Sequence, residues 1–66
     1  MAEFATRRDE ENSDLQVILN ADGDAIASFD FTCDGETVFS LFVIGALANG
    51  HTVWDMNQAQ YLTIDN

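Results

Sequence analysis

After Arg8 the chain contains no lysine and no arginine. Only Glu3 of the twelve acidic residues precedes Asp9, so the body of the chain is a polyanion interrupted by a single imidazole, His51. That feature dictates how such a chain can fold. Its carboxylates find no lysine or arginine within that body to neutralise them by salt bridging. Cohesion has to come from apolar packing and backbone hydrogen bonds. The formal net charge of −10 adds self-repulsion to the compact state.

The same charge excludes function classes. Binding a phosphate backbone requires cations that displace its counterions, so direct nucleic-acid binding is not expected. An anionic membrane surface is excluded on the same ground. Apolar residues make up 47%, too many for a disordered acidic tail. No apolar run approaches the ~20 residues of a spanning helix, and no basic segment followed by an apolar stretch opens the chain as a secretory signal would. The expected location is cytoplasmic, in a host cell if the chain is phage-encoded.

Sixty-six residues make one domain of 7.3 kDa. A core of that size is marginal, and small chains often add disulfides, a metal or a partner subunit. Cys33 is the sole cysteine, so no internal disulfide forms, and one Cys with one His does not make a closed zinc site. A partner chain, including a second copy of this one, is the remaining stabiliser.

Residues 1–14 (MAEFATRRDEENSD) are polar and show no period, which reads as a flexible N-terminal arm before a single α+β domain over 15–66. LQVILN (15–20) and AIASFDFTC (25–33) read as a hairpin about Asp22-Gly23-Asp24. A two-residue loop would place Leu15, Val17 and Leu19 on one face with Asp30, Ser28 and Ile26. A three-residue loop pairs Leu15 with Phe31, Val17 with Phe29 and Leu19 with Ala27, gathering the large apolar groups. That register is favoured, with Asp24 in the left-handed position. Asp34 then reads as an N-cap, Glu36 as a first-turn acid and Asn49-Gly50 as a stop, so a helix is expected at about 35–49. Its inner face reads as Val38, Leu41, Phe42, Gly45 and Ala46, with Phe39 and Val43 beside it. Ile44 and Leu47 lie away from it and become candidates for a second apolar interface. HTVWDM (51–56) and AQYLTID (59–65) form a second hairpin about Asn57-Gln58. Its two-residue loop pairs Val53 with Leu62 and His51 with Ile64 on one face, Trp54 with Tyr61 on the other. Trp54 and Tyr61 join the core, or become exposed anchors if the helix covers Val53 and Leu62. The expected architecture is ββαββ, one antiparallel sheet with a helix on one face.

Chemistry is sparse. No phosphate-cradling glycine loop is present. Asn20-x-Asp22-x-Asp24 begins like a calcium loop, but Gly23 comes too early and Phe31 stands where the bidentate Glu belongs. Those residues read as turn formers, and neither metal nor cofactor is expected. Cys33 beside Asp34 lacks the electropositive setting of a reactive thiolate, and His51 reads as a helix C-terminal cap. Acid pairs such as Asp30 and Asp34 would need a deep cleft to catalyse, so no enzyme is expected.

A carboxylate-presenting surface remains, with Asp14, Asp22, Asp24, Asp30, Asp34, Glu36 and Asp55 as candidate contacts. Side chains two apart on a strand stand about 6.7 Å apart, against one charge per roughly 3.4 Å along a nucleic-acid strand. A small, lysine-free acidic domain with LQVILNADGDAIASFDF ahead of a compact helix resembles phage-encoded anti-CRISPR proteins and other DNA-mimic inhibitors. The resemblance covers 15–66 in composition and architecture and carries no diagnostic motif, so it transfers no functional residues. It implies non-catalytic inhibition of a basic nucleic-acid-binding protein or complex. Two other readings stand beside it: a small acidic domain adapted to high salt, and a homo-oligomeric structural or regulatory subunit joined through Ile44 and Leu47 or a sheet edge.

Overall fold

The computed structural model describes residues 3–63. The elements run β1 (Glu3–Arg8), β2 (Leu15–Leu19), β3 (Ala25–Asp30), α1 (Gly35–Ala48), β4 (Thr52–Asp55) and β5 (Gln60–Tyr61). All five strands form one sheet in the order β3-β2-β1-β4-β5, and the order of elements is βββαββ.

This corrects the expected ββαββ antiparallel sheet. The sheet is mixed, because β1 and β4 run parallel, with Phe4 opposite Val53 and Thr6 opposite Asp55. The segment read as an arm supplies β1, the middle strand, so the boundary at 14/15 does not separate a tail from a body. The cause is the route of the chain. Helix α1 carries it from the end of β3 back to the start of β4, which therefore enters the sheet in the direction of β3. Strand β1 fills the gap between the two hairpins and bonds to both.

The helix covers one face of the sheet. Phe4 and Thr6 of β1, Gln16 and Ile18 of β2, Ala27 and Phe29 of β3, and Val53 and Asp55 of β4 share that side by alternation and register. Val43, Ala46 and Val53 form the buried centre, with Phe4, Phe39, Phe42, Leu47 and Leu62 packed around them. Phe4 meets Phe42 edge-on at 5.3 Å, and Phe29 meets Phe39 at 5.9 Å. Thr6 and Gln16, both buried, satisfy each other among these groups. Gln16 Nε2 donates to Thr6 Oγ1 at 2.9 Å, and that hydroxyl donates to the Val17 carbonyl at 3.0 Å.

The first hairpin adopts the register set aside at the sequence level. Leu15 pairs with Asp30, Val17 with Ser28 and Ile18 with Ala27, and a bulge follows between Ile18 and Leu19. Phe29 is needed on the helix side against Phe39 and Phe42, which sends Val17 to the other face. Gly23, at φ +87°, takes the left-handed turn position rather than Asp24. Asn20 Oδ1 accepts the N–H groups of Asp22 and Asp24, fixing the turn.

The helix begins and ends as its sequence indicates, within one residue. Asp34 makes no side-chain capping bond, however. At the other end the His51 N–H donates to the Ala46 carbonyl and Gly50 sits at φ +83°, which is a glycine-terminated stop. The inward face is Phe39, Phe42, Val43, Ala46 and Leu47. Leu47 thus belongs to the core and not to a second interface, whereas Ile44, with Val38 and Leu41, is exposed. In the second hairpin Trp54 pairs with Tyr61 as expected, but the connection is the four-residue turn 56–59 with Ala59 at φ +52°. Ile64, the expected partner of His51, lies outside the described residues. Among the described residues no helix is long and apolar enough to cross a membrane.

Candidate functional site

Topology sorts the carboxylates. β1, β3 and β4 run one way, while β2 and α1 run the other. One end of the domain therefore collects the β1–β2 connection, the start of β2, the end of β3 and the start of α1. Asp9, Glu10, Glu11, Asp14, Asp30, Asp34 and Glu36 all fall there, and all but half-buried Asp9 are exposed. The helix N-terminus at this end favours the negative charge of Asp34 and Glu36. Arg7 borders this group, lining a shallow groove with Asp9, Glu10 and Glu11.

Of the candidate contacts, Asp14, Asp30, Asp34 and Glu36 are brought together in this way. Asp22 and Asp24 stand on the β2–β3 turn at the opposite end. Asp55 leaves the set. It is buried on the helix side of β4, and its Oδ1 accepts the Asn57 N–H at 2.9 Å. Asn57 Oδ1 in turn accepts the Arg8 N–H at 3.0 Å, so this carboxylate anchors the β4–β5 turn to β1. Asp9, Glu10 and Glu11 were missed because they lie within the segment read as an arm. Their signal was the local Asp9-x-Glu11-Asn12 pattern: Asp9 Oδ1 accepts the N–H groups of Glu11 and Asn12, a loop made by its own aspartate.

Asp30 is the most constrained of the exposed acids. Its Oδ1 accepts the Thr32 hydroxyl at 2.6 Å and the Thr32 N–H at 2.9 Å. These bonds hold its carboxyl below the usual aspartate range, the hydroxyl contributing most. Gly35 packs against the Asp30 backbone so closely that a Cβ there would overlap it. The end of β3 and the start of α1 are thereby locked together.

The sheet face away from the helix is open. Glu3, Ala5, Arg7, Leu15, Val17, Leu19, Thr52, Trp54 and Tyr61 alternate onto it. Trp54 and Tyr61 stand on this side, 37% and 56% exposed, with ring centroids 4.8 Å apart and planes at 73°. The helix covers Val53 and Leu62, so the pair is exposed rather than core. Beside it lies a cleft of about 230 Å³ lined by Glu3, Ala5, Asn20, Ala21, Thr52, Trp54 and Tyr61 among others. The Thr52 hydroxyl, buried, has no hydrogen-bond partner among the described residues.

His51 packs edge-on against Phe4 at 5.6 Å, its buried Nδ1 has no hydrogen-bond partner among the described residues, and the capping is done by its backbone N–H. Cys33 is exposed, with Sγ 3.9 Å from Thr32 Oγ1. Among the described residues no three His, Cys, Asp or Glu side chains are grouped to hold a metal ion. No family model matches the chain, and neither a curated protein nor a solved structure matches it.

Proposed function

We propose that this protein is a non-enzymatic binding protein that uses its acidic end to occupy the nucleic-acid-binding surface of a basic protein. One observation carries the reading: seven carboxylates from two chain stretches, 9–14 and 30–36, meet at one end of the sheet-and-helix body. Solubility alone needs charge on the surface, not its concentration at one pole. The supports are stiff. Asp30 is fixed by Thr32 and Gly35, Asp14 lies beside it through the Phe31 N–H to Asp14 carbonyl bond, and Asp34 and Glu36 ride on the helix start. Preorganised carboxylates lose little freedom on binding. The expected mode is steric and electrostatic, as in the DNA-mimic and anti-CRISPR inhibitors that the composition resembles, and requires neither metal nor cofactor.

The test is charge reversal joined to competition. Asp30→Lys with Asp34→Lys should abolish displacement of DNA from a Lys/Arg-rich nuclease or surveillance complex while the circular dichroism spectrum is unchanged. Affinity of the unaltered protein should fall steeply between low and physiological salt. A doubly reversed variant that still competes with full potency overturns the proposal.

A further inference from the structure

We infer that the cleft beside Trp54 is a subsite for the guanidinium of an arginine side chain on that basic partner. The inference rests on the reading that the partner is basic, and adds a second contact point at the end away from the acidic pole.

Three features of the cleft point to this chemistry. Its shape comes from Ala5, whose small side chain sits between Trp54 on one strand and Leu19 on the other, leaving a notch across the sheet. Its wall is aromatic: Trp54 and Tyr61 are held edge-to-face at 4.8 Å, and both remain exposed. Its charge is negative. Glu3 lies two residues from Ala5 on the same face, about 6.7 Å along the strand, and lines the cleft, whereas Arg7, two residues from Ala5 the other way, does not. A planar cation is the group that both surfaces attract. It stacks on indole or phenol and pairs with a carboxylate through two parallel N–H bonds. An apolar occupant would gain nothing from the exposed Glu3 carboxylate. An anionic one would be repelled by Glu3 and by the net charge of −10.

Trp54 is the only tryptophan, so its emission reports the cleft directly. The experiment titrates the full chain with hexa-arginine peptide at physiological salt, in the parent and in Glu3→Gln and Tyr61→Ala. Both altered residues are exposed, and circular dichroism checks that each variant keeps its fold. We expect saturable change in Trp54 emission, with affinity falling about two- to fivefold in each variant, the range of an exposed cation–π contact. Peptide binding that leaves Trp54 emission unmoved, or affinity in both variants equal to that of the parent, overturns the subsite and leaves the acidic end standing as the binding surface. No binding even at low salt overturns the basic-partner reading itself. Sedimentation as a dimer, with Trp54 emission shifting to the blue as protein concentration rises, assigns the cleft to a second copy and also overturns the inference.

Discussion

Gly35 lies against the backbone of Asp30 with no room for a Cβ, and this contact fixes where the helix leaves the sheet. Gly45, in the middle of the same helix, faces open space. The two glycines should therefore respond oppositely to alanine. Gly35→Ala meets main chain, which cannot move aside as a side chain can, and should cost at least the ~1–3 kcal/mol of core overpacking. Gly45→Ala should stabilise by roughly 0.5–1 kcal/mol through helix propensity. Urea unfolding midpoints decide the matter, and shifts of the same sign in both variants would contradict the geometry.

The buried Thr6–Gln16 pair predicts a non-additive pattern. Thr6→Val strips Gln16 Nε2 of its acceptor and should cost about 1–3 kcal/mol, the penalty for an unsatisfied buried polar group. Adding Gln16→Leu should restore part of that loss, because no orphaned amide remains. A double-mutant cycle measures the coupling. Simple additivity would mean that the two side chains act independently.

Removal of residues 1–8 should abolish cooperative unfolding rather than trim a tail. Strand β1 joins the β2–β3 and β4–β5 halves of the sheet. Amide chemical-shift dispersion should collapse in the truncated chain. A well-dispersed spectrum with a sharp thermal transition would refute this.

Asp30 should titrate below the ordinary aspartate value of about 3.9. Folding lowers this pKa, so Asp30 favours the folded state above the unfolded value, and that contribution disappears as pH falls through the folded one. Thr32→Val removes the hydroxyl donor and should move the midpoint upward. Carboxyl-carbon NMR titration reads it, and an unmoved midpoint in the variant would discount the Thr32 bond.

Carboxylates crowded at one pole should make stability depend on salt. The thermal midpoint should rise as sodium chloride increases towards about 0.15 M, where the screening length falls to about 8 Å. The chain should stay folded in dilute buffer, as followed by circular dichroism. Complete unfolding there would favour the salt-adapted reading over the inhibitory one.

The sequence disclosed what local rules govern. The bounds of α1, the Asn49-Gly50 stop and the Val53–Leu62 and Trp54–Tyr61 register all follow from short-range periodicity and turn chemistry. It concealed β1 because the inward residue at the centre of that strand is Thr6, a polar group made acceptable by Gln16 ten residues later. No hydrophobic pattern registers two polar side chains satisfying each other. The hairpin register failed for a related reason. Collecting every large apolar group on one face assumes that the other face is wet, yet Val17 on the open side is only 5% exposed. The acidic pole was half visible: Asp14, Asp30, Asp34 and Glu36 stood out, but Asp9, Glu10 and Glu11 join them only once β1 is in place.

The parallel pairing of β1 with β4 bears on how the chain is made. Glu3–Arg8 leaves the ribosome well before Thr52–Asp55, the strand it must zip against. Half of that strand's ladder has to wait until β4 has been made. The nascent chain therefore carries an uncommitted edge over that interval.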